Sequence, residues 1–200
     1  ISNAAPLPQA TKEKIVDYFG EGLLHETYGS TEGGFVTNLR PPDQLRKKRC
    51  VGLAYPTVEI SLRNEEGIEI NNGDVGEIFV RSHILFNGYW QNDDATNEAF
   101  DSDGWCTVGD LGKCDDEGFL YIVDRKKDMI ISGGVNVFPR EIEEVLATHP
   151  KVKECAVFGI EDDYWGEAVS AVLVTNDNQT ISDEELKGFC KEKLAKFKLP

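Results

Sequence analysis

Apolar positions first recur at helical spacing in residues 10–19, where Ile15, Val16 and Phe19 follow Thr11 as a plausible cap, and a short helix is predicted there. The run Leu23-Leu24-His25-Glu26-Thr27, bounded by Gly22 and Gly29, reads as a strand. It would deliver Tyr28-Gly29-Ser30-Thr31-Glu32 to a loop at its carboxyl end, where open sheets bind ligands. From about Val51 the texture becomes alternation: Val58, Ile60 and Leu62 alternate with polar residues, and Glu77-Ile78-Phe79-Val80-Arg81 reads as another strand. Glu65-Glu66-Gly67 and Asn71-Asn72-Gly73-Asp74 are turn clusters between them. Asp115-Asp116-Glu117-Gly118 turns the chain into Phe119-Leu120-Tyr121-Ile122-Val123, whose β-branched and aromatic content predicts a buried strand. Five charged residues, Asp124-Arg125-Lys126-Lys127-Asp128, end it.

Beyond that point the pattern predicts two helices and two strands. Pro139 suits a first helical turn, with Ile142, Val145 and Leu146 inward and His149-Pro150 as the stop. Cys155-Ala156-Val157-Phe158-Gly159-Ile160 and residues 168–174 read as strands. Ser182-Asp183-Glu184-Glu185 is a capping box that opens a helix with Leu186, Phe189 and Leu194 inward. The prediction is a β-rich middle section followed by a small α+β unit, with a domain boundary in the charged stretch near Arg125.

Composition narrows the class. Two hundred residues, 40% of them hydrophobic, make one large or two small domains with a real core. Twenty-one basic against 36 acidic residues give a net charge of -15, which repels phosphate backbones and anionic membrane surfaces and argues against nucleic acid as a partner. The acidic residues are spread along the chain, as on a solvated surface. Five cysteines without a C-x-x-C pair suggest neither a disulfide framework nor a zinc site and fit a reducing cytoplasm. The three histidines stand at no metal-ligand spacing, no apolar run approaches a membrane span, and no charged-then-apolar leader opens the chain. With Ile1 first and Pro200 last, the sequence reads as a piece of a longer protein.

Three polar words in order carry the candidate chemistry. In Tyr28-Gly29-Ser30-Thr31-Glu32 the glycine permits close backbone approach, the hydroxyls can bind phosphate oxygens, Glu32 can hold magnesium, and Tyr28 offers a face for a base; a polar turn would use the same residues. Asp110, in Gly109-Asp110-Leu111-Gly112 after Trp105-Cys106-Thr107-Val108, would be exposed at a strand end, either to accept from the paired hydroxyls of a ribose or to organise a turn. Arg125 could reach ribose or phosphate oxygens or be one more solvated charge. Ser132-Gly133-Gly134, before the helix at Pro139, is either a backbone pressed against a slender ligand or a tight strand-to-helix connection.

Taken together these residues closely resemble the acyl-adenylate-forming family of acyl-CoA synthetases, aryl-CoA ligases, peptide-synthetase adenylation domains and beetle luciferase. The resemblance covers essentially the whole chain. It includes Ser2-Asn3-Ala4-Ala5-Pro6-Leu7, Gly88-Tyr89-Trp90 with Thr96 and Phe100, Gly104-Trp105, and Asp128-Met129-Ile130-Ile131-Ser132-Gly133-Gly134 leading into Pro139-Arg140-Glu141-Ile142-Glu143. It implies an α+β fold: the end of an α/β subdomain, a β-rich distorted barrel at about 51–124, and a small mobile C-terminal domain over 125–200. It implies two half-reactions, in which a carboxylate attacks the α-phosphate of ATP to give an acyl-adenylate and pyrophosphate, and a thiol then attacks the activated carbonyl.

By that resemblance Ala4, Ala5, Glu26, Thr27 and Tyr28 would border adenine and Ser30 and Thr31 the phosphate, with Gly29 also in contact with the nucleotide, and Glu32 would bind magnesium. Asp110 would take the ribose hydroxyls, helped by Arg125; Lys127 matches the hinge about which the small domain swings, and Ser132, Gly133 and Gly134 would meet the pantetheine of coenzyme A. The family's Ser/Thr/Gly-rich phosphate loop and its Gly-Lys catalytic lysine are absent, so the piece alone is expected to be inactive. Lys196 and Lys198 are read as helix-end charges rather than substitutes, and Asn3 stands where glycine is usual. The leading reading is an AMP-forming ligase joining a fatty or other hydrophobic acid to CoA; Gly33 and Gly34 would leave room for a bulky chain. An adenylation domain loading a carrier protein and a non-catalytic binding module are the alternatives, and an oligomer is left open.

Overall fold

The computed structural model describes residues 1–5, 7–177 and 179–200. They divide into two compact units, Ile1–Ile122 and Val123–Pro200.

The first unit opens with α1 (Gln9–Phe19), which ends where Gly20 takes a φ of +93° and its N–H returns to the Val16 carbonyl. Its buried face carries Val16 and Lys12, whereas Phe19, one of the three apolar positions of the pattern, is exposed and lies edge-on to Tyr18; Thr11 lies inside the helix, whose N-cap is Pro8. Lys12 can take a buried position because Glu26 neutralises it there. An antiparallel hairpin follows, β1 (Glu26–Ser30) and β2 (Gly34–Leu39), with the two-residue β3 (Leu53–Ala54) on the free edge of β2.

A second sheet is built from β4 (Val58–Arg63), β5 (Gly76–Ser82), β6 (Cys106–Cys114) and β7 (Leu120–Arg125) in that order, with α2 (Asp93–Ala99) between β5 and β6. Val36, Val58, Leu62, Ile78, Val80 and Leu120 form the core between the sheets, as the alternation in β4 and β5 requires. The predicted barrel is not closed: among the described residues the two sheets remain separate. Among the described residues the backbone pairing that joins them is one bridge, Gly52 to Leu120, next to the two-residue β3. At that bridge a Cβ on Gly52 would lie 2.1 Å from the Asn38 carbonyl carbon, and the backbone there has a φ of +103°. The predicted turn at Asp115 forms, with Gly118 N–H donating to the Asp115 carbonyl and Lys47 reaching the Asp115 carboxylate at 2.6 Å.

The second unit contains β8 (Ile130–Ser132), β9 (Val135–Val137), α3 (Pro139–Leu146), β10 (Val152–Asp162), β11 (Gly166–Thr175) and α4 (Asp183–Lys191). The strands lie in the order β10-β11-β8-β9, all antiparallel. Ile142 and Leu146 of α3 and Cys190 of α4 pack with Ile130, Val137, Val157 and Leu194 into one core. The capping signals act as read: Pro139 opens α3, and the Ser182 hydroxyl accepts from Glu185 N–H at 3.2 Å. Four strands stand where two were predicted, since β8 and β9 have three residues each and are too short for alternation to reveal. Lys196 and Lys198 lie in a separate 3-10 turn, not at the end of α4, and Lys198 pairs with Glu141 at 2.6 Å.

Gly52→Ala should cost roughly 3 kcal/mol or more, because the Asn38–Leu39 peptide blocks the new methyl and the left-handed φ strains it. Gly67→Ala, at a φ of +76° with nothing within 4 Å, should cost only about 1 kcal/mol. Urea midpoints of the two variants measure the difference, and equal midpoints would refute the close approach at Gly52.

Candidate functional site

The β1–β2 connection is narrow for a steric reason. Tyr28 pairs with Thr37 but Gly29 with Phe35, so Val36 is the extra residue of a bulge and turns into the core. At Gly29 a Cβ would sit 1.9 Å from the Gly34 carbonyl oxygen, so only glycine lets the strands close. Tyr28, Gly29 and Ser30 therefore belong to β1 itself, not to a loop after it, and only residues 31–33 turn. The Ser30 hydroxyl accepts from Gly33 N–H at 2.8 Å, which leaves Thr31 exposed at the tip and Glu32 half-buried beside it.

A second segment grips Glu32. Phe86 N–H donates to its carbonyl at 2.9 Å, and the Tyr89 hydroxyl donates to its Oε1 at 2.6 Å. That hydrogen bond, with partial burial and the nearby negative charge, pushes the Tyr89 hydroxyl up to about 12. Gly88 and Tyr89 were legible in the sequence as motif residues, but nothing in their spacing pointed to Glu32.

Two of the polar words meet in this unit. The Tyr28 hydroxyl donates to Asp110 Oδ2 at 2.7 Å across 82 residues of sequence. Asp110 is buried, 7% exposed, and lies inside β6 rather than at a strand end. The reason is a local irregularity: Gly109 has a φ of +76°, and the β5–β6 register shifts between Glu77 and Phe79. The Thr107 hydroxyl accepts from Gly109 N–H at 3.1 Å and donates to Glu77 Oε1 at 2.8 Å, which holds the distortion in place.

The segment before α1 joins the same edge. Ser2 N–H donates to the His25 carbonyl at 2.8 Å and Thr27 N–H to the Ser2 carbonyl at 2.9 Å, so the exposed Ala4 and Ala5 follow directly from a residue bridged to β1. Ala4 has a φ of +69°, unusual for a residue with a Cβ. Glu26, to which Ser2 is bridged, forms an ion pair with Lys12, both side chains under 10% exposed, and the buried Thr27 hydroxyl has no hydrogen-bond partner among the described residues. Lys12 was missed in the sequence because a lysine on a short amphipathic helix reads as solvated.

In the second unit Arg125 is exposed, with its N–H donating to Asp124 Oδ1 at 2.8 Å. Asp124 Oδ2 accepts from Arg140 N–H at 2.9 Å, which ties the end of β7 to the first turn of α3. Lys127 is exposed in the 3-10 turn Lys126–Asp128. Ser132 closes β8 and Gly133-Gly134 is the turn of the β8–β9 hairpin, rather than the strand-to-helix connection that was one of the two readings. Gly133 and Gly134 have φ values of +58° and +78°, Gly133 N–H donates to the Trp165 carbonyl at 2.7 Å, and a Cβ on Gly133 would meet the Trp165 ring at 2.8 Å.

The donor set fits a nucleotide with its cation better than a metal held by protein alone. Among the described residues no group of three or more His, Cys, Asp or Glu side chains could hold a metal ion. A single half-buried carboxylate suits magnesium, which keeps waters and takes further oxygens from substrate phosphates. The buried Thr27 hydroxyl, unpartnered among the described residues, is a polar group of the kind that a base would satisfy, beside the buried Asp110 carboxylate that Tyr28 already holds.

Comparison with known proteins identifies the family. The uncharacterised acyl-CoA ligase YhfT of Bacillus subtilis is 41% identical over 200 residues, all of this chain and 40% of the relative. The long-chain-fatty-acid–CoA ligase FadD13 of Mycobacterium tuberculosis is 41% identical over 202 residues, again all of this chain and 39% of the relative. The solved o-succinylbenzoate-CoA synthetase of Bacillus subtilis, in complex with its acyl-adenylate intermediate, superposes with a TM-score of 0.90 at 36% identity, over 99% of this chain and 40% of that one. The same synthetase with ATP and magnesium gives 0.88 at 35% identity over the same shares. The chain thus spans about two fifths of the length of the proteins that it matches. The family model of the AMP-binding enzyme matches residues 1–90 and that of the AMP-binding enzyme C-terminal domain residues 141–200, and the chain belongs to this adenylate-forming family.

Proposed function

We propose that this chain is part of an AMP-forming acid–CoA ligase that activates a fatty or other hydrophobic carboxylic acid. The acid's carboxylate attacks the α-phosphorus of ATP and pyrophosphate leaves; the thiolate of CoA then attacks the acyl carbonyl of the adenylate and AMP leaves. The observation that carries the reading is the Tyr28–Asp110 hydrogen bond, which sets an aromatic face and a buried carboxylate side by side. On this reading Tyr28 stacks on adenine beside Ala4, Ala5, Glu26 and Thr27, and Asp110 accepts from the ribose hydroxyls. Gly29 admits the nucleotide close to the backbone, and the hydroxyls of Ser30 and Thr31 donate to phosphate oxygens; Ser30 retains its proton for this while its oxygen accepts from Gly33. Magnesium held by Glu32 would supply charge neutralisation at those oxygens.

The second unit serves the thiol step. Lys127, exposed in its short turn, is the proposed hinge, with Arg125 assisting at the ribose, and Ser132, Gly133 and Gly134 border the pantetheine arm. Two closed arrangements of one site reconcile shielding an adenylate from water with admitting a long thiol. The identities of the relatives, which name a long-chain fatty acid in one case and o-succinylbenzoate in another, favour a hydrophobic acid and a CoA acceptor. All five cysteines are free, which suits a reducing cytoplasm, and among the described residues no helix is long and apolar enough to cross a membrane. The 200 residues hold neither the Ser/Thr/Gly-rich phosphate loop nor the Gly-Lys lysine, so the chain by itself is expected to be inactive.

In the full-length protein, pyrophosphate release over a panel of short, medium, long-chain and aromatic acids should depend on a hydrophobic acid, with acyl-CoA appearing only when CoA is added. Transfer to a phosphopantetheinylated carrier instead of CoA would favour a carrier-loading domain, and no release with any acid would refute ligase activity. Asp110→Ala should weaken ATP binding by about tenfold or more, the cost of losing a charge-assisted pair; an unchanged calorimetric affinity would remove Asp110 from the site. Lys127→Pro should leave adenylate formation near the wild-type rate and slow thioester formation, so equal loss of both half-reactions would count against a hinge.

A further inference from the structure

We propose that Tyr89 is a positioning residue, which fixes the Glu32 carboxylate in the geometry that receives the nucleotide-bound cation. The inference rests on the nucleotide reading above and assigns a role to Gly88-Tyr89 with Thr96 and Phe100, which that reading left without one.

The placement of Tyr89 is determined from three directions. Its backbone is set by the first turn of α2: the Thr96 hydroxyl accepts from Tyr89 N–H at 2.9 Å and donates to the Asn92 carbonyl at 2.9 Å, while Asn92 Oδ1 caps the helix by accepting from Ala95 N–H at 3.1 Å. Gly88 makes that contact possible, since its φ is +130° and a Cβ would stand 2.9 Å from the Thr96 methyl. The ring is set by aromatic packing, edge-on to Phe86 with centroids 4.9 Å apart, and Phe86 in turn stacks on Phe100 at 5.3 Å. The Phe86 backbone then joins the target directly, through its N–H to the Glu32 carbonyl at 2.9 Å. A rigid aromatic arm anchored on both α2 and the hairpin turn thus delivers one hydroxyl to Glu32 Oε1 at 2.6 Å.

The chemistry asks for such an arm. Glutamate has three side-chain torsions, and in the middle of a three-residue turn each rotamer excluded before the cation arrives lowers the entropic cost of binding it. Hydrogen bonds from neighbours that orient metal-binding carboxylates commonly change metal affinity by 10–100-fold. Packing alone does not account for the hydroxyl, because Tyr89 is 38% exposed and a phenylalanine would make the same ring contacts.

The test titrates Mn2+ into the full-length protein with α,β-methylene-ATP, followed by electron paramagnetic resonance, for the wild type and Tyr89→Phe. The variant should bind Mn2+ about tenfold more weakly, with analogue binding in EDTA changed less than twofold and the melting temperature within about 2 °C. In a Glu32→Gln background Tyr89→Phe should produce no further loss, as one shared interaction requires. Unchanged Mn2+ affinity in the variant overturns the assignment, as does a fall in metal-free analogue binding or melting temperature that matches the loss. A wild type that binds no analogue at all refutes the nucleotide reading itself, and the assignment falls with it.

Discussion

Closure of the β1–β2 hairpin depends on a contact that only glycine allows, the approach of Gly29 to the Gly34 carbonyl oxygen, where a methyl group would overlap at 1.9 Å. From that contact follow the bulge that sends Val36 into the core, the three-residue turn that exposes Thr31 beside Glu32, and the placement of Tyr28 within hydrogen-bond reach of Asp110. Each candidate ligand group of the first unit sits on this hairpin or is held against it. The bulge does here what bulges do elsewhere, re-aiming side chains at the cost of one ladder bond.

The polar interior around the hairpin trades stability for definition. Burying Lys12 with Glu26 removes two charges from water, and a buried pair of this kind gains little net stability while strongly penalising any arrangement that separates its members. Its members come from α1 and β1, so it fixes the helix against the strand to which Ser2 is bridged. In the second unit the comparable constraint is steric: Gly133 admits the Trp165 ring, and Gly133 and Gly134 take left-handed φ in succession, which makes a tight turn next to Ser132.

Legibility followed the range of the interactions. The helix at Pro139 and the one after Ser182 were readable because capping is local and their apolar stripes bury in one core. The long strands β10 and β11 were readable from their runs of apolar residues. The strands β8 and β9 and the short helix α2 were not, since three to seven residues are too few to display a period. Phe19 misled because periodicity registers apolarity and is blind to a lysine that finds a carboxylate. The polar words at Tyr28, Asp110 and Ser132 were visible as chemistry, yet Asp110 was expected at a strand end and lies at a distortion within β6, which depends on Gly109 and on Glu77 from another strand.

Sequence by itself determined which residues could carry the chemistry, the family to which their order belongs, and the caps and cores of the longer elements, because these depend on residue type and near-neighbour spacing. Only the tertiary structure decided that Tyr28 meets Asp110, that Tyr89 meets Glu32, that Lys12 is buried under Glu26, and that the sheets stay open. These are pairings between distant segments, each fixed by how backbone and side chains fill space around a few glycines, and no local propensity encodes them.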